Sequence, residues 1–196
     1  LQEGINEVPA ARSMKQALAS SDSGIIAEFK RRSPSKGWIK QEARPEEIVP
    51  SYVAAGASAL SILTDEKFFG GSLKDIRTAR PLVDVPIIRK DFIIDEYQLY
   101  QAKIVGADAV LLIAAALKQE KCQELAEQAH ELGLEVLLEI HSAEELPYIN
   151  SKIDMIGINN RNLGTFFTDV ENSFRLAGQL PQDAVLVSDL GVFRTV

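Results

Sequence analysis

The sequence has little cysteine and no long apolar stretch. Cys122 is the single cysteine of the 196 residues, so no disulfide can form within the chain and a reducing compartment fits. A membrane-spanning helix needs about 20 consecutive apolar residues, and no run approaches that length. The first four residues, Leu1 to Gly4, do not have the character of a signal peptide. These absences predict a cytoplasmic protein that is not held in a membrane.

Positive charge is also in short supply. The chain has 21 lysines and arginines against 28 aspartates and glutamates, which gives a formal net charge of −7. Non-specific binding of nucleic acid usually needs a basic face, so we expect no nucleic-acid partner. A few cations in one cleft can still attract an anionic small molecule.

Several familiar catalytic and cofactor motifs are absent as well. No G-x-G-x-x-G follows a predicted strand, which weakens a dinucleotide-binding interpretation. His130 and His141, the two histidines, are far apart in sequence, so a metal site is not expected. No Ser–His–Asp or Cys–His arrangement is evident. His141 comes two residues after Glu139, but a place in a loop is the more common explanation for such a histidine than a direct role.

Seven short apolar, β-branched runs are the main positive feature. Continuous apolar runs of this length are typical of strands that are buried on both faces of a parallel sheet. The runs cover residues 24–29, 59–64, 85–90, 109–113, 135–140, 155–159 and 184–188.

Helical patterns separate these runs. Apolar residues recur at three- and four-residue steps from Gln119 to Leu132, and Gly133 then predicts the end of that helix. Pro45 opens another helix, in which Pro50 predicts a kink or a late start. Residues 142–145 have the form of a capping box and predict a further helix start. The alternation predicts one α/β domain over residues 1–196, either an open doubly wound sheet or a closed barrel.

Charged and amide side chains interrupt the ends of the apolar runs. Carboxyl ends of parallel strands form the active face of a barrel, so these side chains are candidates for a site. Because side chains alternate along a strand, Glu28 and Lys30 share one face. A ring of structural ion pairs is the alternative. The strand-end residues are Glu28, Lys30, Arg89, Lys90, Asp91, Glu139, Asn159, Asn160, Arg161 and Asp189.

Two motifs carry a specific resemblance. Residues 26–37 read Ile-Ala-Glu-Phe-Lys-Arg-Arg-Ser-Pro-Ser-Lys-Gly, and residues 89–92 read Arg-Lys-Asp-Phe. Both are similar to motifs of the indole-3-glycerol-phosphate synthases. Weaker matches follow in that family's order at residues 60–72, 106–113, 138–141 and 156–163. The resemblance runs from about residue 10 to about residue 190.

The resemblance implies a TIM (β/α)₈ barrel, of which about seven strands fall within this chain. It implies a carboxy-lyase of tryptophan biosynthesis that closes the pyrrole ring of 1-(2-carboxyphenylamino)-1-deoxyribulose 5-phosphate, with loss of carbon dioxide and water. The expected partner is therefore a phosphorylated small molecule. No metal or organic cofactor is implied, and fusion or association with other enzymes of the pathway is a further expectation.

The resemblance also assigns roles to individual residues. Lys90 matches the general acid that protonates the substrate carbonyl, and Lys30 matches a lysine near the substrate carboxylate. Glu139 and Glu28 match the carboxylates that exchange protons in the later dehydration. The matches to substrate-binding positions are Ser33, Asn159, Arg161, Asp189 and Gly191.

The chain departs from the family pattern near its carboxyl end. Family members usually have Glu-Ser-Gly-Ile where this chain has Asp-Leu-Gly-Val at residues 189–192. Leu190 cannot supply a hydroxyl, and Asp189 is one methylene shorter than glutamate. The sequence stops at Val196, before an eighth strand, so we expect a barrel that is incomplete at both ends, with weak phosphate binding and little activity.

Two alternatives remain open at this point. A phosphoribosylanthranilate isomerase-like barrel would use a cysteine and an aspartate, but Cys122 lies in the middle of a predicted helix rather than at a strand end. An inactive barrel fragment is the other alternative, and the altered motif at residues 189–192 favours it.

Overall fold

In the computed structural model, residues 10–159, 170–181 and 183–188 are described. Nine strands lie in these residues: β1 (Ile26–Phe29), β2 (Arg32–Ser33), β3 (Gly37–Trp38), β4 (Ala59–Leu63), β5 (Ile87–Lys90), β6 (Ala109–Ile113), β7 (Glu135–Ile140), β8 (Met155–Ile158) and β9 (Val185–Ser188). Their α-helices are α1 (Met14–Ser20), α2 (Pro45–Ala54), α3 (Glu66–Phe69), α4 (Leu73–Ala79), α5 (Glu96–Val105), α6 (Gln119–Glu131) and α7 (Val170–Ala177). Shorter 3₁₀ helices cover Arg80–Leu82, Ala114–Ala116 and Ala143–Tyr148.

The main sheet has seven parallel strands, in the order β1-β4-β5-β6-β7-β8-β9. This order follows the chain without reversal, whereas a doubly wound sheet reverses its order at a switch point. The strands curl into part of a barrel with helices outside, so the α/β barrel prediction is confirmed. β2 and β3 form a separate antiparallel hairpin directly after β1.

Alternation along the strands divides the buried side chains into two clusters. In β4, Leu60 and Ile62 pack outward against the helices, and Ala59 packs with the inner cluster. The same division repeats in β6, where Val110 faces the outer layer and Leu111 the inner one. Both faces of the sheet are therefore buried, which explains why the strands read as continuous apolar runs.

Helix α1 covers the inner cluster at the amino ends of the strands. Met14 and Leu18, both almost fully buried, pack against Met155 and its neighbours. Ser13 caps the helix through a hydrogen bond from the backbone N–H of Gln16, and its hydroxyl also lies 2.5 Å from Oε1 of Glu135 on β7. Apolar packing and polar contacts together hold α1 in place over this end of the sheet.

Two details of the helix predictions were wrong. Helix α2 begins at Pro45 and contains Pro50, so it does not start late. The segment after Ser142 forms a 3₁₀ helix without a side-chain cap. Pro147 accounts for this, because its ring clashes with the carbonyl of Ala143 in α-helical geometry.

Within the part of the chain that the structure describes, no helix is both long enough and apolar enough to cross a membrane.

The loop after β4 contains a glycine that no other residue can replace without strain. A Cβ on Gly71 would lie 2.1 Å from the backbone oxygen of Leu63. We predict that Gly71→Ala lowers the free energy of unfolding by about 1–3 kcal/mol, the usual cost of overpacking. Gly178→Ala is the control, because the nearest atoms to its Cβ are 3.8 Å away. Urea titration of both variants tests this, and equal stabilities would contradict it.

Asp108, at the amino end of β6, joins three segments through one buried carboxylate. It accepts hydrogen bonds from Arg12 N (2.7 Å), Ile87 N (2.8 Å) and Nη1 of Arg80 (2.6 Å). Its side chain is 3% exposed and that of Arg80 16%. The pair lies at the end of the sheet opposite the strand-end residues, where we expect it to stabilise the fold rather than act in catalysis.

We predict that Asp108→Asn lowers the free energy of unfolding by about 3 kcal/mol, because the buried Arg80 guanidinium would lose its counter-charge. Asp84→Asn is the matched control. Asp84 is fully exposed and lies 3.4 Å from Arg12, so its loss should cost little. Equal urea midpoints for the two variants would show that the buried Asp108–Arg80 pair contributes no more to stability than the exposed Asp84.

Candidate active site

Three of the strand-end residues, Glu28, Lys30 and Lys90, lie on the inner face of the sheet. Ile26 of β1 and Ile88 of β5 belong to the inner cluster. By alternation, Glu28 and Lys30 follow Ile26 on that face, and Lys90 follows Ile88. The strands are parallel, so their carboxyl ends all lie at one edge of the sheet. We refer to this edge as the mouth.

Glu28 bridges two lysines at the mouth. Its Oε1 lies 2.5 Å from Nζ of Lys30, and its Oε2 lies 2.7 Å from Nζ of Lys90. The three side chains are between 27% and 30% exposed. Two ammonium groups that come from strands β1 and β5 thus meet on one carboxylate.

The charge state of Glu28 follows from these contacts. Burial alone would raise the pKa of its carboxyl group, because the charged form loses hydration. The charges of Lys90 and Lys30 and their hydrogen bonds outweigh burial, and the net result is a pKa below the ordinary value of glutamate. Glu28 is therefore an anion at neutral pH.

Arg89 points away from the mouth, into the outer layer. It is 3% exposed and donates to Oγ1 of Thr64 (3.0 Å), to the backbone oxygen of Gln98 (2.6 Å) and to Oδ2 of Asp91 (2.9 Å). Thr64 also donates to Asp91, at 2.6 Å. For Arg89 and Asp91 the structural ion-pair interpretation therefore fits, and their network holds the backbone on both sides of Lys90.

Glu139 and Asn159 meet at the ends of β7 and β8. Asn159 donates from Nδ2 to Oε1 of Glu139 at 3.1 Å. Nε2 of His141 lies 3.6 Å from the same oxygen. Side-chain exposure is 13% for Glu139 and 17% for His141, so both are largely buried. His141 lies in the loop after β7, as the sequence predicts, and its ring also faces a candidate catalytic carboxylate.

Ser33 lies on the β2–β3 hairpin and is 8% exposed. Its hydroxyl accepts a hydrogen bond from the backbone N–H of Lys36 at 3.2 Å and lies 3.5 Å from the hydroxyl of Ser35. These contacts stabilise the turn of the hairpin. Arg161, Asp189, Leu190 and Gly191 lie outside the described residues.

Sequence reasoning missed the residue that anchors the loop after β1. Arg31 makes a double ion pair with Asp75 of α4, at 2.6 and 2.9 Å, and also donates to the backbone oxygens of Ala43 and Gly70. This anchor fixes the chain immediately after Lys30. No signal in the sequence links Arg31 to Asp75, which is 44 residues away.

Among the described residues, no group of three or more His, Cys, Asp or Glu side chains is arranged to hold a metal ion. The mouth instead contains proton donors and acceptors: two ammonium groups, two carboxylates and an amide. Such groups can donate and remove protons and can bind an anionic substrate.

Comparison with solved structures supports the fold. The chain matches 3-keto-L-gulonate-6-phosphate decarboxylase from Vibrio cholerae with a TM-score of 0.62 and 14% identity, over 86% of this chain and 78% of that one. It matches phosphoribosylanthranilate isomerase from Thermotoga maritima with a TM-score of 0.55 and 14% identity, over 84% of this chain and 74% of that one. At this identity the likeness concerns the fold alone.

Comparison with protein families and curated sequences identifies the family. The indole-3-glycerol phosphate synthase family model matches residues 1–196. An indole-3-glycerol phosphate synthase from Bacteroides thetaiotaomicron is 97% identical over 192 residues, which are 98% of this chain and 74% of that protein. One from Rhodopirellula baltica is 47% identical over 95% of this chain and 73% of its own length. The chain belongs to the indole-3-glycerol phosphate synthase family, whose members are decarboxylating lyases of tryptophan biosynthesis.

Proposed function

We propose that the mouth residues carry out the family's reaction on 1-(2-carboxyphenylamino)-1-deoxyribulose 5-phosphate. The observation that carries this proposal is the Glu28 carboxylate shared between Lys30 and Lys90. A substrate that bears a carboxylate can replace Glu28 at one lysine, which leaves the other lysine close to the substrate carbonyl. The site then binds the anion and supplies a proton donor at the same time.

The first steps are ring closure and decarboxylation. The aromatic carbon that bears the carboxylate attacks the carbonyl carbon, and the electron pair of the C=O bond takes a proton from Lys90 to form a hydroxyl group. The C–CO₂⁻ bond then breaks, its electron pair restores the aromatic ring, and carbon dioxide leaves. Lys30 holds the carboxylate until this point, which fixes the reacting carbon against the carbonyl.

Dehydration completes the pyrrole ring. In this step the hydroxyl leaves as water after it receives a proton from Glu139, which takes part as the neutral carboxylic acid and becomes a carboxylate, and Glu28 removes a proton from the ring. The two carboxylates have different surroundings: Glu28 contacts two ammonium groups, and Glu139 contacts an amide and an imidazole. Different surroundings suit one carboxylate as a base and the other as an acid.

Substrate binding is proposed to use groups on the loops around these four residues. Ser33 and Asn159 contact the substrate, together with Arg161, Asp189 and Gly191 from outside the described residues. The loops after β1, β4 and β5 also present half-exposed aromatic side chains, Trp38, Phe68 and Phe92. Exposed apolar groups of this kind favour a ligand with an aromatic ring, as the proposed substrate has.

The isomerase alternative is disfavoured by the state of the only cysteine. Cys122 is fully buried on α6, and burial raises the pKa of its thiol to about 11. A buried, protonated thiol is a poor nucleophile and a poor acid–base catalyst.

We further propose that the chain folds as one domain and works in the cytoplasm, and that it can associate with other enzymes of tryptophan synthesis.

Lys90→Met tests the proposal, because it keeps the length of the side chain and removes the proton donor. We expect kcat to fall by about 10²–10⁴-fold, the usual contribution of a general acid, with a much smaller change in KM. Formation of indole-3-glycerol phosphate is followed by its absorbance. Lys74→Met on α4, which removes an exposed lysine, is the control. The proposal fails if the unaltered chain shows no turnover. It also fails if Lys90→Met turns over at the rate of the unaltered chain.

A further inference from the structure

His141 stands between two carboxylates at the end of β7. Its Nε2 lies 3.6 Å from Oε1 of Glu139, and its Nδ1 lies 3.8 Å from Oε2 of Glu145. The three side chains are between 13% and 17% exposed. Both ring nitrogens are fully buried. Both distances are longer than a hydrogen bond, so the ring and the two carboxylates are in electrostatic contact within a buried space.

Glu145 fixes the backbone as well as the ring of His141. Its Oε2 accepts a hydrogen bond from the backbone N–H of His141 at 2.6 Å. Glu145 belongs to the 3₁₀ helix Ala143–Tyr148, which Pro147 prevents from becoming an α-helix. This short turn brings the carboxylate back over the end of β7, four residues after His141.

On its other side, His141 faces an oxygen of Glu139 that already accepts a hydrogen bond. Oε1 of Glu139 accepts a hydrogen bond from Asn159 and faces Nε2 of His141. The hydrogen bond from Asn159 and the nearby imidazole ring approach the same carboxylate oxygen, which favours one orientation of the carboxylate plane. Groups of this kind, which hold a reacting side chain from behind, often decide how well it is oriented.

We propose that His141 is a positioning residue that holds the Glu139 carboxylate in its reactive orientation, with Glu145 holding the imidazole ring. The kinetic part rests on the proposed function of Glu139. The arrangement is a carboxylate–imidazole–carboxylate chain in which only Glu139 meets the substrate. Glu139 on β7 and Glu145 on the 3₁₀ helix face the ring, and Asn159 lies beside Glu139.

Nuclear magnetic resonance tests the contact without any need for activity. The chain has two histidines, so ¹⁵N-histidine labelling gives two sets of ring signals. We expect Glu139→Gln to move the Nε2 signal of His141 and Glu145→Gln to move its Nδ1 signal. His130, which pairs with Asp154 at 2.9 Å, is the internal control and should not move. Unmoved His141 signals in both variants would overturn the proposal.

Two substitutions of His141 test its effect on catalysis. Glutamine places an amide nitrogen near the position of Nε2, towards Glu139, and asparagine places one near Nδ1, towards Glu145. We expect His141→Gln to keep most of the wild-type kcat. His141→Asn should lose about tenfold in kcat with little change in KM, within the range for groups that orient a functional side chain.

A merely structural role gives a different pattern. In that case both variants would lower the thermal unfolding midpoint, and their kcat values would be equal; equal kcat values for the two variants overturn the proposal. Absence of turnover in the unaltered chain would defeat the proposed function instead, and the ring signals would then still decide whether His141 is held by Glu139 and Glu145.

Discussion

Two ammonium groups inside the mouth of the barrel need a counter-charge, and Glu28 supplies it. Lys30 and Lys90 come from strands β1 and β5, and without the carboxylate between them their charges would repel each other in a partly buried space. The carboxylate holds both side chains within hydrogen-bond distance of one point. The proposed reaction depends on this pairing, because an anionic substrate that replaces one contact would find both lysines already in place.

The barrel makes this pairing possible because the candidate site and the packing at the amino ends of the strands lie at opposite ends of the sheet. Alternation along each parallel strand gives an outer and an inner cluster of apolar side chains, and the inner face carries Glu28, Lys90 and Glu139 at or near the carboxyl ends of its strands. The amino ends are fixed by α1 and by the Asp108–Arg80 pair. Arg31 and Arg89 tie the loops on either side of the mouth to α4 and α5. The strands thus hold the candidate catalytic groups at one end of the sheet, and the buried Asp108–Arg80 pair lies at the other end.

Periodicity and strand-end charge made much of this predictable. The strand at 135–140 has the predicted bounds, since a buried strand and its flanking turn leave a clear pattern. The contact between Glu28 and Lys30 follows from the two-residue repeat of a strand. The contacts of His141 and Arg31 could not be predicted, because each depends on a partner that tertiary packing brings close. Glu145 reaches His141 through a proline-limited turn, and Asp75 lies on a helix 44 residues from Arg31.

The most direct test of this account is the titration of Glu28. Selective ¹³C labelling of glutamate carboxyl groups, with Glu28→Gln for assignment, gives the pKa of this group in the folded chain. We expect a pKa below the ordinary value of glutamate, because the lysines outweigh burial, and a higher pKa in Lys30→Met. The Glu28 carboxylate would then contribute to the free energy of unfolding at neutral pH. This contribution would be lost as the pH falls through the pKa of Glu28 in the folded chain. A pKa above the ordinary value would show that burial dominates, and would contradict the pairing on which the site depends.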